Sequence, residues 1–234
     1  MNIHTVTFSG ASNETSITKM CDLYDNYPYI EWGIQTPHYG GGLFPDVGWV
    51  KELTSTNLPL SAHMCSVRTL LEDSNPVEVM SIAGWESFKR VQINTHGSPH
   101  HTAHETLELF NTELFKGKEI IFQLDDVPQN NYTFGLANSM GVNVSGLFDT
   151  SHGGGRSPDT WPKSSEVLMG AKFGYSGGLG PDNMKFVLPQ IAYAAGDSDI
   201  WVDMEGRIRH NGRLDFDKIQ KVLDEVENSG YLKR

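Results

Sequence analysis

The chain has little cysteine, a shortage of positive charge and no long apolar run, and each deficit removes a class of protein. Only Cys21 and Cys65 occur in 234 residues, with no CxxC pair, so neither a disulfide framework nor a structural zinc finger is indicated and both read as reduced thiols. Lys and Arg number 18 against 29 Asp and Glu, a formal charge of -11 that opposes attachment to nucleic acid or to an anionic membrane. A small phosphate is still compatible with that charge, because backbone N–H groups at helix N-termini supply local positive potential. No stretch reaches the roughly 20 apolar residues of a membrane span, and the opening MNIHTVTFSG has neither the basic start nor the apolar run of a secretory signal. A cytoplasmic protein is expected. What is present is bulk for a core: 38% apolar residues, with 11 Phe, 8 Tyr and 5 Trp, more than a disordered chain carries.

Short β-branched or aromatic runs recur, most of them followed by a helical pattern. Strands are expected at His4 to Ser9, Pro28 to Gln35, Leu58 to Cys65, Arg90 to Asn94, Glu119 to Leu124, Gly146 to Ser151, Phe173 to Leu179 and Ile200 to Glu205. About eight strands alternating with helices predict an α/β fold, a (β/α)8 TIM barrel, with residues 1 to 234 as a single domain; an open doubly wound sheet is the rival. The last helix is the clearest: Phe216, Ile219, Val222, Leu223 and Val226 share one face, Asp215 is placed to cap it and Gly230 follows it. Thr102 to Gly117 gives a second amphipathic pattern through Leu107, Leu109, Phe110, Leu114 and Phe115. A seventh helix is expected to open at Pro181 and to be kinked or split by Pro189. The segment around Tyr132 to Met140 reads as a short, weak helix.

Glycine marks the last two strand ends. Gly177 and Gly178 precede Pro181 and Asp182, and Gly206 follows the eighth strand, which is where barrels of this kind present backbone N–H groups to a phosphate; alone, the Gly-Gly pair would equally make a tight turn. Three C-terminal segments, LFDTSHGGGRSPDTW (147 to 161), GYSGGLGPDNM (174 to 184) and WVDMEGRIRHNGRLDFDKI (201 to 219), together with VTFSG (6 to 10) and VQIN (91 to 94), resemble the phosphoribosylanthranilate isomerase family. The resemblance implies a phosphorylated small-molecule ligand and a sugar-phosphate isomerase performing an Amadori-type aldose-to-ketose conversion, needing no cofactor, in a monomer or homodimer. It also implies a mobile loop at His152 to Arg156, within which Arg156 is assigned to the substrate.

That conversion needs a general acid to open the ring and a base to take the proton from C2. Asp149 matches the family's acid. Ser9 stands where the family has a catalytic Cys, and TPHYGGG at 36 to 42 lacks the family's basic residue, so a different base or a barrel that binds without turnover must be considered. Glu31 and His63 are the preferred bases, being polar residues between apolar neighbours on predicted strands; Asp125, Asp126 and Glu205 are further candidates. Gln92, Asn94, Gln123 and Glu205 are placed to hydrogen-bond a sugar. The run of His96, His100, His101 and His104 raises metal binding, but no HExxH match or third ligand accompanies it, and no metal site is assigned.

Overall fold

A computed structural model describes residues 1–36, 44–64, 82–93, 107–108, 110–124, 128–149, 151, 154–167 and 170–233. Strands β1 (Asn2–Ser9), β2 (Ile30–Thr36), β3 (Leu60–Met64), β4 (Phe88–Ile93), β5 (Glu119–Leu124), β6 (Val144–Phe148), β7 (Lys172–Tyr175) and β8 (Asp199–Met204) are all parallel and form a closed barrel in chain order. Thus the expected (β/α)8 TIM barrel is the fold, and the open sheet is excluded by the pairing of β1 with β8. Between the strands lie α1 (Ile17–Asn26), α2 (Val47–Thr54), α3 (Pro128–Ser139), α4 (Ser164–Val167) and α5 (Met184–Ala195), with α6 (Phe216–Asn228) closing the chain. Among the described residues no helix is long and apolar enough to cross a membrane.

The alternation of each strand decides what lies inside. One face of β1, β2, β5 and β8 carries Val6, Phe8, Trp32, Ile34, Phe122 and Val202, which pack against the helices in the main core. The opposite face points into the barrel and is mostly polar. Ile121, Leu147 and Trp201 form a small separate apolar cluster there, and around them Glu31, Ser61, His63, Gln92, Glu119, Gln123, Ser145 and Asp203 are buried. A barrel interior is normally filled by branched aliphatics, so here charge pairing must hold the lower layer. Arg90 supplies it: Nη1 lies 2.8 Å from Glu31 Oε1, Nε lies 3.3 Å from Glu119 Oε1, and the guanidinium sits 4.3 Å from the Trp201 ring centroid. Lys172 Nζ completes the chain at 2.9 Å from Glu119 Oε2, while Thr7 and Ser145 donate to Glu31 and Glu119. Burial raises the Glu119 pKa but Arg90, Lys172 and Ser145 outweigh it, so its net shift is downward and it stays ionised.

Two inward glycines make space for large neighbours. A methyl group on Gly174 would overlap the Trp201 ring, and one on Gly33 would overlap both Ser9 Oγ and the His63 ring. Gly33→Ala is therefore expected to push both side chains off their rotamers and to cost about 1–3 kcal/mol by overpacking. Urea unfolding of this variant beside Gly48→Ala, whose added methyl meets nothing within 4 Å, separates the clash from any general effect of removing glycine.

Some boundaries differ from expectation for identifiable reasons. The seventh strand ends at Tyr175 rather than Leu179, since Gly177 and Gly178 have φ of 104° and 64° and turn the chain. Helix α5 begins at Met184, not Pro181, because Asn183 is engaged in the turn: its Oδ1 accepts from Gly180 N at 3.0 Å and its Nδ2 donates to Gly178 O at 2.9 Å. Pro189 does not split the helix; it sits on the exposed side of an unbroken α5, where the carbonyl it leaves without a donor can be met by water. Helix α3 is longer than expected because its buried face is Asn130, Thr133, Phe134 and Ala137, a helical spacing in which only Phe134 is large and apolar. Asp215 caps α6 by accepting from Asp217 N and Lys218 N, as expected.

Candidate active site

At the C-terminal ends of the strands the barrel opens into a cavity of about 300 Å³, the position where barrels of this architecture carry their chemistry. Its walls come from the ends of several strands and from the turns after β6, β7 and β8. Ser9, His63, Gln92, Gln123, Asp149, Gly177, Gly178, Glu205 and Gly206 all line it, so most of the residues singled out in the sequence share one space. Glu31 does not: it lies a layer below, held by Arg90 and Thr7. Arg156 is exposed and absent from the lining, although its carbonyl rests against Gly177. Asn94, Asp125, Asp126 and the residues His96, His100, His101, His104, His152 and Gly153 lie outside the described residues.

The glycine turns meet as the strand order requires. Gly180 packs so closely on Arg207 that a methyl group there would overlap the Arg207 side chain, which joins the turn after β7 to the short 3-10 turn Gly206–Ile208 after β8. Ser176, Gly177, Gly178, Gly206 and Arg207 thereby form one wall. The segment Gly155 to Ser157 lies directly on Gly178, whose missing Cβ is the room it occupies. Asp149 stands beside this wall: Oδ1 accepts from Ser151 N at 2.9 Å and from Ser151 Oγ at 2.6 Å, while Gln123 Nε2 donates 2.9 Å to the Asp149 carbonyl. Asp149 therefore shapes the loop and also faces the cavity; Oδ2 makes no hydrogen bond among the described residues.

On the floor, Ser9, His63 and Asp203 are in mutual contact. Ser9 Oγ is 3.2 Å from Asp203 Oδ1 and 3.4 Å from His63 Nδ1, and His63 Nε2 is 3.7 Å from Asp203 Oδ2, too far for a hydrogen bond. Burial, with the Arg90 guanidinium behind it, lowers the His63 pKa to about 3. Burial and the nearby Glu31 carboxylate push Asp203 well above the usual carboxylate range. Each shift favours the neutral form of its residue. Glu205, at the rim, is raised by burial against the opposing pull of Arg209, and accepts from Gln35 at 3.2 Å and Arg209 at 3.2 Å.

Sequence reasoning missed Asp203, Arg90 and Arg207. Period-two alternation was the available signal for the first: Asp203 is two residues after Trp201 on β8 and therefore faces the same interior.

No protein-family model and no curated protein sequence matches the chain. Solved structures do. A monomeric form of the dimeric phosphoribosylanthranilate isomerase of Thermotoga maritima superposes with a TM-score of 0.58 at 12% identity, covering 97% of this chain and 100% of that one. The N-(5'-phosphoribosyl)anthranilate isomerase of Pyrococcus furiosus gives 0.56 at 11% identity over 96% and 98%, and 3-hexulose-6-phosphate synthase of Salmonella typhimurium gives 0.58 at 12% over 96% and 99%. At these identities the likeness is one of fold: the chain is a (β/α)8 barrel built on the same plan as sugar-phosphate isomerases and a sugar-phosphate synthase.

Proposed function

We propose that the chain is a sugar-phosphate isomerase that converts an N-substituted phosphoribosyl aminoaldose to its aminoketose. The observation that carries the reading is the meeting, in one cavity, of the Gly177–Gly178 and Gly206–Arg207 turns with the Asp149 carboxyl. Backbone amides of those glycines, none of which is engaged by a hydrogen bond among the described residues, suit a phosphoryl group, and the Arg207 side chain adds a cation that the net charge of -11 elsewhere lacks. Asp149 is the acid of this scheme: Oδ1 is fixed by Ser151, and Oδ2 delivers a proton to the ring oxygen so that the sugar opens. The likeness to barrels named for a phosphoribosyl compound and for a hexulose phosphate supports the ligand class.

Purified protein supplied with phosphoribosylanthranilate tests the reading, since the substrate's fluorescence changes on isomerisation. Turnover that falls about 10²–10⁴-fold in Asp149→Asn is expected. Gly178→Ala, with a φ of 64° and no space beside Ser157 and Gly155, should weaken competitive inhibition by inorganic phosphate at least about tenfold, as the loss of about 1.4 kcal/mol of binding implies. Tight binding with no turnover would instead identify a barrel that sequesters a phosphorylated sugar or nucleotide, a reading that the replacement of the family's Cys by Ser9 favours.

A further inference from the structure

An aminoaldose becomes an aminoketose only if the proton on C2 is taken, and the Ser9 hydroxyl, a poor base that donates to Asp203, does not take it. We propose that the general base is the Glu205 carboxylate, which reaches from the end of β8 over the end of β1; this rests on the isomerase reading above. Gly10 makes the reach possible. Its φ is 91°, and Glu205 Cγ lies 3.0 Å from the point where a Cβ would stand, so the Glu205 side chain rests on the residue that follows Ser9. From there it lines the same cavity as Asp149, with a side chain that is 34% exposed. The other described candidates fail on access or on affinity for a proton. Glu31 lies a layer below, held by Arg90, and His63 is buried, with its ring lowered to about 3.

Two positioning residues orient the carboxylate and leave it acceptor capacity. Gln35 Nε2 donates to Oε2 at 3.2 Å and Arg209 Nη1 donates to Oε1 at 3.2 Å, one bond to each oxygen of a group with about four acceptor sites. Arg209 is itself fixed through Nη2 by the Gly212 carbonyl, so the carboxylate is held from two separate elements. Burial raises its proton affinity, and the net shift stays upward against Arg209 and Gln35, with the Asp149 carboxyl adding to the rise. The chemistry closes without a cofactor. With the ring opened to the protonated imine, Glu205 takes the C2 proton, the C–H pair becomes the C1–C2 double bond, and the C=N pair moves onto nitrogen. The Glu205 carboxyl returns that proton to C1, and the C2 hydroxyl loses its own as the carbonyl forms, replacing the proton Asp149 gave to the ring oxygen.

The test uses the full chain with phosphoribosylanthranilate. Glu205→Gln, which keeps the shape and removes the base, is expected to lower kcat about 10³-fold with KM little changed. Formate added to Glu205→Ala should recover turnover, which a packing role would not allow. Substrate carrying deuterium at C2 separates the two steps. Glu205→Asp, one methylene short, slows removal of that proton and should show a larger isotope effect on kcat than Asp149→Asn, which slows the ring opening before it. Turnover in Glu205→Gln within about tenfold of an active wild type, or an isotope effect in Glu205→Asp no larger than in Asp149→Asn, overturns the base while leaving the isomerase reading intact. A wild type that fails to turn over overturns both, a pattern distinct from the first.

Discussion

Arg90→Met is expected to lower the unfolding free energy by about 3–5 kcal/mol, the cost of leaving buried charges without their partner. The magnitude follows from the layer it anchors. The side chain of Arg90 is 12% exposed and those of Glu31 and Glu119 are 6% and 11%, so water cannot take its place at either carboxylate. Glu119 retains Lys172 and Ser145; among the described residues Glu31 retains only the hydroxyl of Thr7. The unpaired charge is thus chiefly that of Glu31, and adding Glu31→Gln to Arg90→Met should return a large part of the loss, since removing both members of a buried pair costs far less than removing one. Urea titrations of the two single variants and the double measure this coupling. A loss under about 1 kcal/mol for Arg90→Met would mean that the layer is wet and that charge pairing does not hold the barrel interior together.

The second large effect is in pH dependence. In an unfolded chain a histidine near 6.5 and an aspartate near 3.8 hold one proton between them across the interval separating those values, on the imidazole. Folded, both residues shift toward their neutral forms: His63 binds its proton less readily and Asp203 binds one more readily. The two shifts act on stability in opposite senses as pH rises above about 3.8, so each offsets the other even though both residues are strongly perturbed. Removing either one exposes the other. In Asp203→Asn, His63 remains depressed, so its contribution is complete above pH 6.5 and is lost as pH falls toward about 3, at a slope of about 1.4 kcal/mol per pH unit. In His63→Asn, Asp203 remains raised, so its contribution is complete below pH 3.8 and is lost as pH rises toward its folded value. Unfolding curves collected upward from about pH 4 should diverge in opposite senses for the two variants; parallel curves would show that the two groups are not shifted in opposite directions.

Much of this architecture was readable from the residues alone. Eight strands were placed because β-branched runs such as those in β1 and β5 are bounded by turn residues, and the barrel followed from their number and alternation with helices. The end of α6 was visible in an uninterrupted apolar face. What escaped were features decided by the third dimension. Helix α3 was undervalued because Asn130 and Thr133 occupy its inner face, and α5 was started early because Pro181 signals a first turn while the side chain of Asn183 reaches back to the glycines. In the site, attention to strand ends found Asp149, Glu205 and the glycines but passed over Asp203, one step deeper. Glu31 was favoured as a base since an acid among apolar neighbours looks destined for chemistry; its partner, Arg90, lies 59 residues away in the chain, and no local pattern announces that pairing.

The two glycines that face the barrel axis have a consequence for how such an interior changes over generations. Gly174 on β7 leaves its volume to Trp201 on β8, and Gly33 on β2 leaves its own to His63 on β3. Bulk is thus shared between adjoining staves, one thin where the next is thick. A mutation that enlarges either thin residue is inherited with profit only beside a second that trims its neighbour, so descendants of this chain should exchange size across these seams by paired steps.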